Sequence, residues 1–263
     1  MTQMTNARVA GSAFLLYIVF GLPSGMLMAR ATSADGIAAK LVSVAQHAND
    51  LRVAVVLVLF SSFCALVLGV TLYAITREVD PDLALLGLTF RVGEGVIGGI
   101  SVQRSLGLLW VATAAGANAP DNQTAHAIGT LFTGQGGALG LVGALFFAVG
   151  SAIFSWLLLR GRMIPAVLAW LGVVVSITWV VGLPLQLADV LRGSIVTWVM
   201  FVPMAAFEVP FALWLLIKGV AAGQPKSALV MTSNSQRLSV SDMEDRAGAN
   251  QWNSLSLVAY LSA

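Results

Sequence analysis

The chain has 263 residues, of which 58% are hydrophobic and only 10% charged, with a mean hydropathy of +0.87. That balance excludes an ordinary soluble globular domain and makes lipid the expected solvent. Fourteen basic against twelve acidic residues leave a formal charge of +2, with no dense basic stripe suited to nucleic acid, and the single cysteine, Cys64, excludes an intrachain disulfide or a Cys-rich metal site.

Crossing the hydrocarbon takes roughly 20 apolar residues in a helix, and stretches of that length recur along the chain with polar punctuation between them. The first spans about Val9 to Met28, between Arg8 and Arg30. Ala29-Arg30-Ala31 has the small-x-small form of a cleavage site, so a signal peptide competes for this segment. Its apolar run exceeds the roughly 7 to 15 residues of a signal core and favours a retained helix. From Asp35 to Asp50 the spacing of Ile37, Leu41, Val44 and Ala45 predicts a short amphipathic helix lying on the outer membrane surface.

The second span covers about Val53 to Ile75 and stops before Arg77 and Glu78; Pro81 opens the next segment. The third runs about Leu83 to Ala112 and carries charge inside it. The fourth is expected over about Gly136 to Leu159, the fifth over Ile164 to Leu185 and the sixth over Ile195 to Ile217, closed by Lys218. Beyond Gly223 the composition turns to Ser, Asn, Gln and Asp, too polar to bury much surface. The expected architecture is an all-α integral membrane bundle of about six helices over residues 1–220. A polar, disordered tail over 221–263 follows, with a weak amphipathic patch from Trp252 to Leu261.

Orientation follows from the basic residues. With both termini inside, Arg8, Arg77, Arg160, Arg162, Lys218, Lys226, Arg237 and Arg246 are cytoplasmic, against Arg30, Lys40, Arg52 and Arg192 outside, eight to four. The positive-inside rule therefore places both termini in the cytoplasm. Trp110, Trp156, Trp179, Trp198 and Trp214 fall toward helix ends, as an aromatic belt would place them.

Several segments resemble a known family. Arg8 at the head of the first helix, "LALLGLTFRVGEGVIGG" from Leu83 to Gly99, "LLLRGRMIPAVLAWLG" from Leu157 to Gly172 and "EVPFALWLLIKGV" from Glu208 to Val220 are similar, in order and spacing, to the bacterial membrane proteins grouped as domain of unknown function 4386. The resemblance covers about residues 7–220. It implies a six-helix protein of a bacterial inner membrane and brings no activity, substrate or functional residue with it. The tail departs from the family pattern, in which the chain ends soon after the last helix.

Charged groups at bilayer depth cost about 2.5 to 3.5 kcal/mol each on insertion scales and are functional candidates by default. A rise of about 1.5 Å per residue puts Arg91 about 12 Å, Glu94 about 16 Å and Glu208 about 15 Å from the same face. These three residues form the candidate intramembrane polar cluster. Arg91, Glu94, Gly98, Ser101 and Ser105 recur at intervals of three and four, a stripe that must face protein or water. A structural clamp between the third and sixth helices, a proton or ion relay, and a site for a polar head group all remain open. Arg104 lies off the stripe and is expected to snorkel to the interface. The pairs Gly95/Gly99 and Gly136/Gly140 are expected to let helices approach closely. Pro203 and Pro210 bracket Glu208 and loosen its helix, a pattern shared by transporter sites and by helices that simply bend.

Catalysis is thinly supplied. Ser24 in "GLPSG" would need a base, and His47 and His126 both fall in outer loops, where with Asp50 and Asp121 they could make only a weak metal site. "TGQGG" from Thr133 lacks the Lys-Ser/Thr end of a phosphate loop. No cofactor fingerprint occurs. The expectation is a non-enzymatic small carrier, or a bundle that binds a lipid, a small polar ligand or a partner; an intramembrane enzyme acting on a lipid or quinone is the alternative.

Overall fold

The computed structural model describes residues 2–116, 119–191 and 194–221, leaving the side chains of 134–138 and 194–198 outside the description. The tail, its patch from Trp252 to Leu261, Arg192, the side chain of Trp198, Gly136 and most of the "TGQGG" run lie outside these residues. Seven helices follow in order: α1 (Gln3–Ala31), α2 (Ile37–Gln46), α3 (Ala48–Thr76), α4 (Pro81–Thr113), α5 (Asn122–Arg160), α6 (Ala166–Leu187) and α7 (Ser194–Ile217). All but α2 are long and apolar enough to cross a membrane. The protein is an all-α, multi-pass membrane bundle with six spanning helices among the described residues.

Helix starts follow the local chemistry. Thr2 accepts from the Thr5 amide at 3.1 Å, and Asp80 accepts from the Leu83 amide at 3.3 Å with Pro81 at the first helical position. Asp121 accepts from the Thr124 amide at 2.7 Å, and this bond, joined by one from the Thr124 side chain, holds its carboxyl below the usual range. After α5 the chain reverses in five residues. Arg162 takes a left-handed conformation (φ 51°), Met163 N bonds back to Leu158 O, and the Arg160 side chain pairs with Asp80 at 3.4 Å.

Each spanning helix packs against the one before it, and α7 returns to α1, so the six close into a ring. The amide of Ala221 bonds to Met163 O and Gln3 reaches Glu78, so the start of α1, the end of α7 and the α3–α4 and α5–α6 turns share one face. That half is filled by a continuous apolar cluster including Phe14, Leu72, Ile75, Leu157, Phe207 and Leu215. The opposite half is closed by α2, where Val44 and Leu51 meet Ala31, Leu108 and Leu109. Outward positions such as Met26, Val167 and Ile217 are exposed apolar groups, the surface that lipid would cover.

Four expectations change in detail. The fourth span begins 14 residues earlier than its apolar run, at Asn122, so His126 sits in a helix and not in a loop. The apolar face of α2 is occupied by protein, since Ile37 and Leu41 lie against Gly129 of α5, while Ala45 is exposed. Trp179 belongs to no belt: it is buried in the ring and donates to Met200 O at 3.0 Å. Of the glycine pairs, Gly95 packs on Leu66, but a Cβ added at Gly99 or Gly140 would have nothing within 4 Å; close approaches outside the pairs include Gly11, Gly69, Gly150 and Gly172.

Candidate functional site

Arg91 enters the ring where two glycines make room for it. A Cβ on Gly69 of α3 would meet Arg91 Cβ at 2.8 Å, and one on Gly150 of α5 would meet Arg91 Cδ at 3.0 Å. The side chain is 1% exposed. Its guanidinium carbon lies 4.7 Å from the Phe147 ring centroid and 5.7 Å from that of Tyr17, and these two rings are stacked on each other.

One turn along α4, Glu94 supplies the countercharge. Arg91 Nη1 lies 2.8 Å from Glu94 Oε2, but off the direction of its N–H bonds. Arg91 Nε and Nη2 and Glu94 Oε1 have no hydrogen-bond partner among the described residues. Burial at this depth makes unmet hydrogen-bonding capacity costly, so such groups call for an explanation. The Tyr17 hydroxyl stands beside the Glu94 carboxylate. Glu208 on α7 lies within electrostatic reach of both charges but forms no ion pair within 4 Å among the described residues. The arrangement is therefore a tight pair on one helix with a second carboxylate opposite, on α7.

Above this cluster, toward the α2 half, the ring encloses a chamber of about 420 Å³ walled by all six spanning helices. Glu94, Glu208 and Tyr17 stand at one end, with Phe147 and Trp179 beside them. Ser24, Ser61, Ser62 and Ser101 add hydroxyls to an otherwise apolar wall. All four protons are already committed: Ser24 donates to Ala54 O, Ser61 to Tyr17 O, Ser62 to Val58 O and Ser101 to Gly98 O. Leu22 of α1 and Phe201 and Val209 of α7 line the chamber and are also exposed, so its wall opens laterally on the side where α1 adjoins α7.

The other sequence candidates resolve differently. Arg104 is tied into the protein: its Nη1 donates to Phe132 O on α5 at 2.8 Å. Ser24 faces a carbonyl and not a base, and His47 Nδ1 engages Ser43 O at 2.9 Å. Among the described residues, no group of three or more His, Cys, Asp and Glu side chains could hold a metal ion. Sequence reasoning misses Tyr17 and the serines of α3. Tyr17 is a hydroxyl-tipped ring midway along an apolar span, and that is the signal that could have found it.

The family described as "Domain of unknown function (DUF4386)" matches residues 9–219, most of the chain. The chain belongs to this family. No curated protein and no solved structure matches it.

Proposed function

We propose that this DUF4386 protein binds an amphiphilic small molecule inside the membrane, with the molecule's cationic or hydrogen-bond-donating end at Glu94 and Glu208 and its apolar body along the chamber. The observation that carries this reading is the chamber of about 420 Å³, within the size range of small-molecule sites, with its carboxyl groups gathered at one end. Two carboxyl groups and a single guanidinium meet there, so the end wall is rich in acceptors for a cationic or hydrogen-bond-donating group. The lateral opening suits a ligand that arrives from lipid. The same features support a small carrier acting non-enzymatically in a bacterial inner membrane.

Dodecylamine, dodecanol and dodecanoate are suitable probes for the purified full-length protein. Dodecylamine should raise the melting temperature and bind at least tenfold more tightly than dodecanoate, and Glu208→Gln should remove most of that preference. Gly140→Leu should abolish binding without loss of fold, because nothing lies within 4 Å of the added side chain's first atom and Gly140 lines the chamber. Equal binding of amine and carboxylate, or binding that survives Gly140→Leu, would overturn the reading.

The proposed orientation puts the face bearing both chain ends in the cytoplasm. Cys64→Ser gives a thiol-free background, and Glu78 and Gln123 are exposed on opposite faces of the bundle. A membrane-impermeant thiol reagent on intact cells should label Gln123→Cys and spare Glu78→Cys; the reverse pattern inverts the topology.

A further inference from the structure

A second pocket lies at the α2 end of the bundle, away from the chamber. It holds about 200 Å³ between the end of α1, the helix α2, the last turns of α4 and the start of α5. Two cations reach it, Lys40 from α2 and Arg104 from α4. Neither has a carboxylate within 4 Å among the described residues, and the Asp50 carboxylate near this end is engaged by Arg30 at 3.7 Å. Arg104 spends Nη1 on Phe132 O, while its Nε is buried with no partner among the described residues.

The hydroxyls around these cations do not compete as donors. Thr32 donates to Met28 O, Ser105 to Ser101 O and Thr133 to Gly129 O, each at 2.9 Å or less. The donors left to a ligand are the Lys40 ammonium and the remaining guanidinium N–H groups, and all of them carry positive charge. Two partly buried cations without a countercharge are costly unless an anion joins them.

We propose that this pocket binds a phosphate-type oxyanion, held by Lys40 and Arg104. Arg offers the planar fork that matches phosphate oxygens, and Lys adds a point charge from the facing helix. Arg104 is 23 residues beyond Pro81, so at about 1.5 Å per residue it stands at the far end of the span, at head-group depth. Met28 and Leu108 give the pocket an apolar side along which a lipid chain can run. Basic pockets between membrane helices take anionic head groups in this way. The site is independent of the chamber and of the function proposed for it.

The test uses the purified full-length protein in dodecyl maltoside, with phosphatidylglycerol, phosphatidylcholine and inorganic phosphate as separate probes, read by native mass spectrometry and thermal shift. Phosphatidylglycerol should bind at least tenfold more tightly than phosphatidylcholine, and Lys40→Gln should cut that preference at least threefold. If phosphate alone binds at millimolar concentration and is lost in Lys40→Gln, the site takes the free anion. Lys40→Gln carries the test because Lys40 makes no bond that the fold needs, whereas Arg104→Gln also removes the bond to Phe132 O. Equal affinity for the two lipids with no phosphate binding, or preference unchanged in Lys40→Gln, would overturn the proposal.

Discussion

Arg91→Leu should destabilise the purified protein by about 3 to 5 kcal/mol, the cost typical of stranding one member of a buried ion pair. The guanidinium is fully enclosed, and its loss leaves the Glu94 carboxylate, 8% exposed, with its only close countercharge among the described residues gone. The contact with the Phe147 face goes as well, and a desolvated cation over an aromatic ring contributes about 2 kcal/mol. Glu94→Leu should be comparably harmful for the mirror-image reason. The double variant Arg91→Leu/Glu94→Leu should recover part of the loss, because no lone charge then remains between α3 and α5. Thermal melting or steric trapping in detergent supplies the double-mutant cycle. Glu208→Leu should be the mildest of the three, since Glu208 holds no ion pair within 4 Å among the described residues and borders the chamber. Strictly additive losses for Arg91 and Glu94 would mean that each charge has another partner.

The cluster shows which parts of this protein are legible from sequence. The depth of Arg91, Glu94 and Glu208 follows from helix rise alone, because the membrane fixes where each span begins. Their pairing does not, because it depends on how far the helices are rotated. Arg91 could meet Glu94 three residues along its own helix or Glu208 across the ring, and only the positions of Gly69 and Gly150 settle that its stem is wedged between α3 and α5. The chamber is not legible for the same reason: only α4 shows an inner-facing stripe, of which Glu94, Gly98 and Ser101 line the cavity, and the other walls are set by how α7 closes back on α1. Residues 122–135 escape the hydropathy reading of the fourth span because they are only moderately apolar, yet Asp121 caps that helix and Ile37 and Leu41 of α2 cover it at Gly129. Arg104 reads as an interfacial snorkel because its partner is a backbone carbonyl, which no sequence displays.

The glycines separate spacing from contact. A GxxxG spacing says that two small residues share a helix face, and it says nothing of whether a neighbour comes close to that face. Gly99 fits the spacing and touches nothing, whereas Gly11, which belongs to no such pair, is where the ring closes. A Cβ there would lie 2.6 Å from Ala212 O and 2.6 Å from Leu216 N, both backbone atoms of α7 that cannot swing aside as a side chain would. Gly11→Ala must therefore push α1 and α7 apart over the seam that holds shut the half bearing the chain ends, next to Ala7, Ala10 and Phe14. Overpacking of this kind costs about 1 to 3 kcal/mol, and Gly11→Val should exceed that range. Gly99→Ala is the internal control: it meets no obstacle and gains helix propensity of up to about 1 kcal/mol, so its melting temperature should hold or rise. If Gly11→Ala melts with the parent protein while Gly99→Ala falls, then helix spacing and not contact sets the packing, and the closed ring is wrong at its α1–α7 seam.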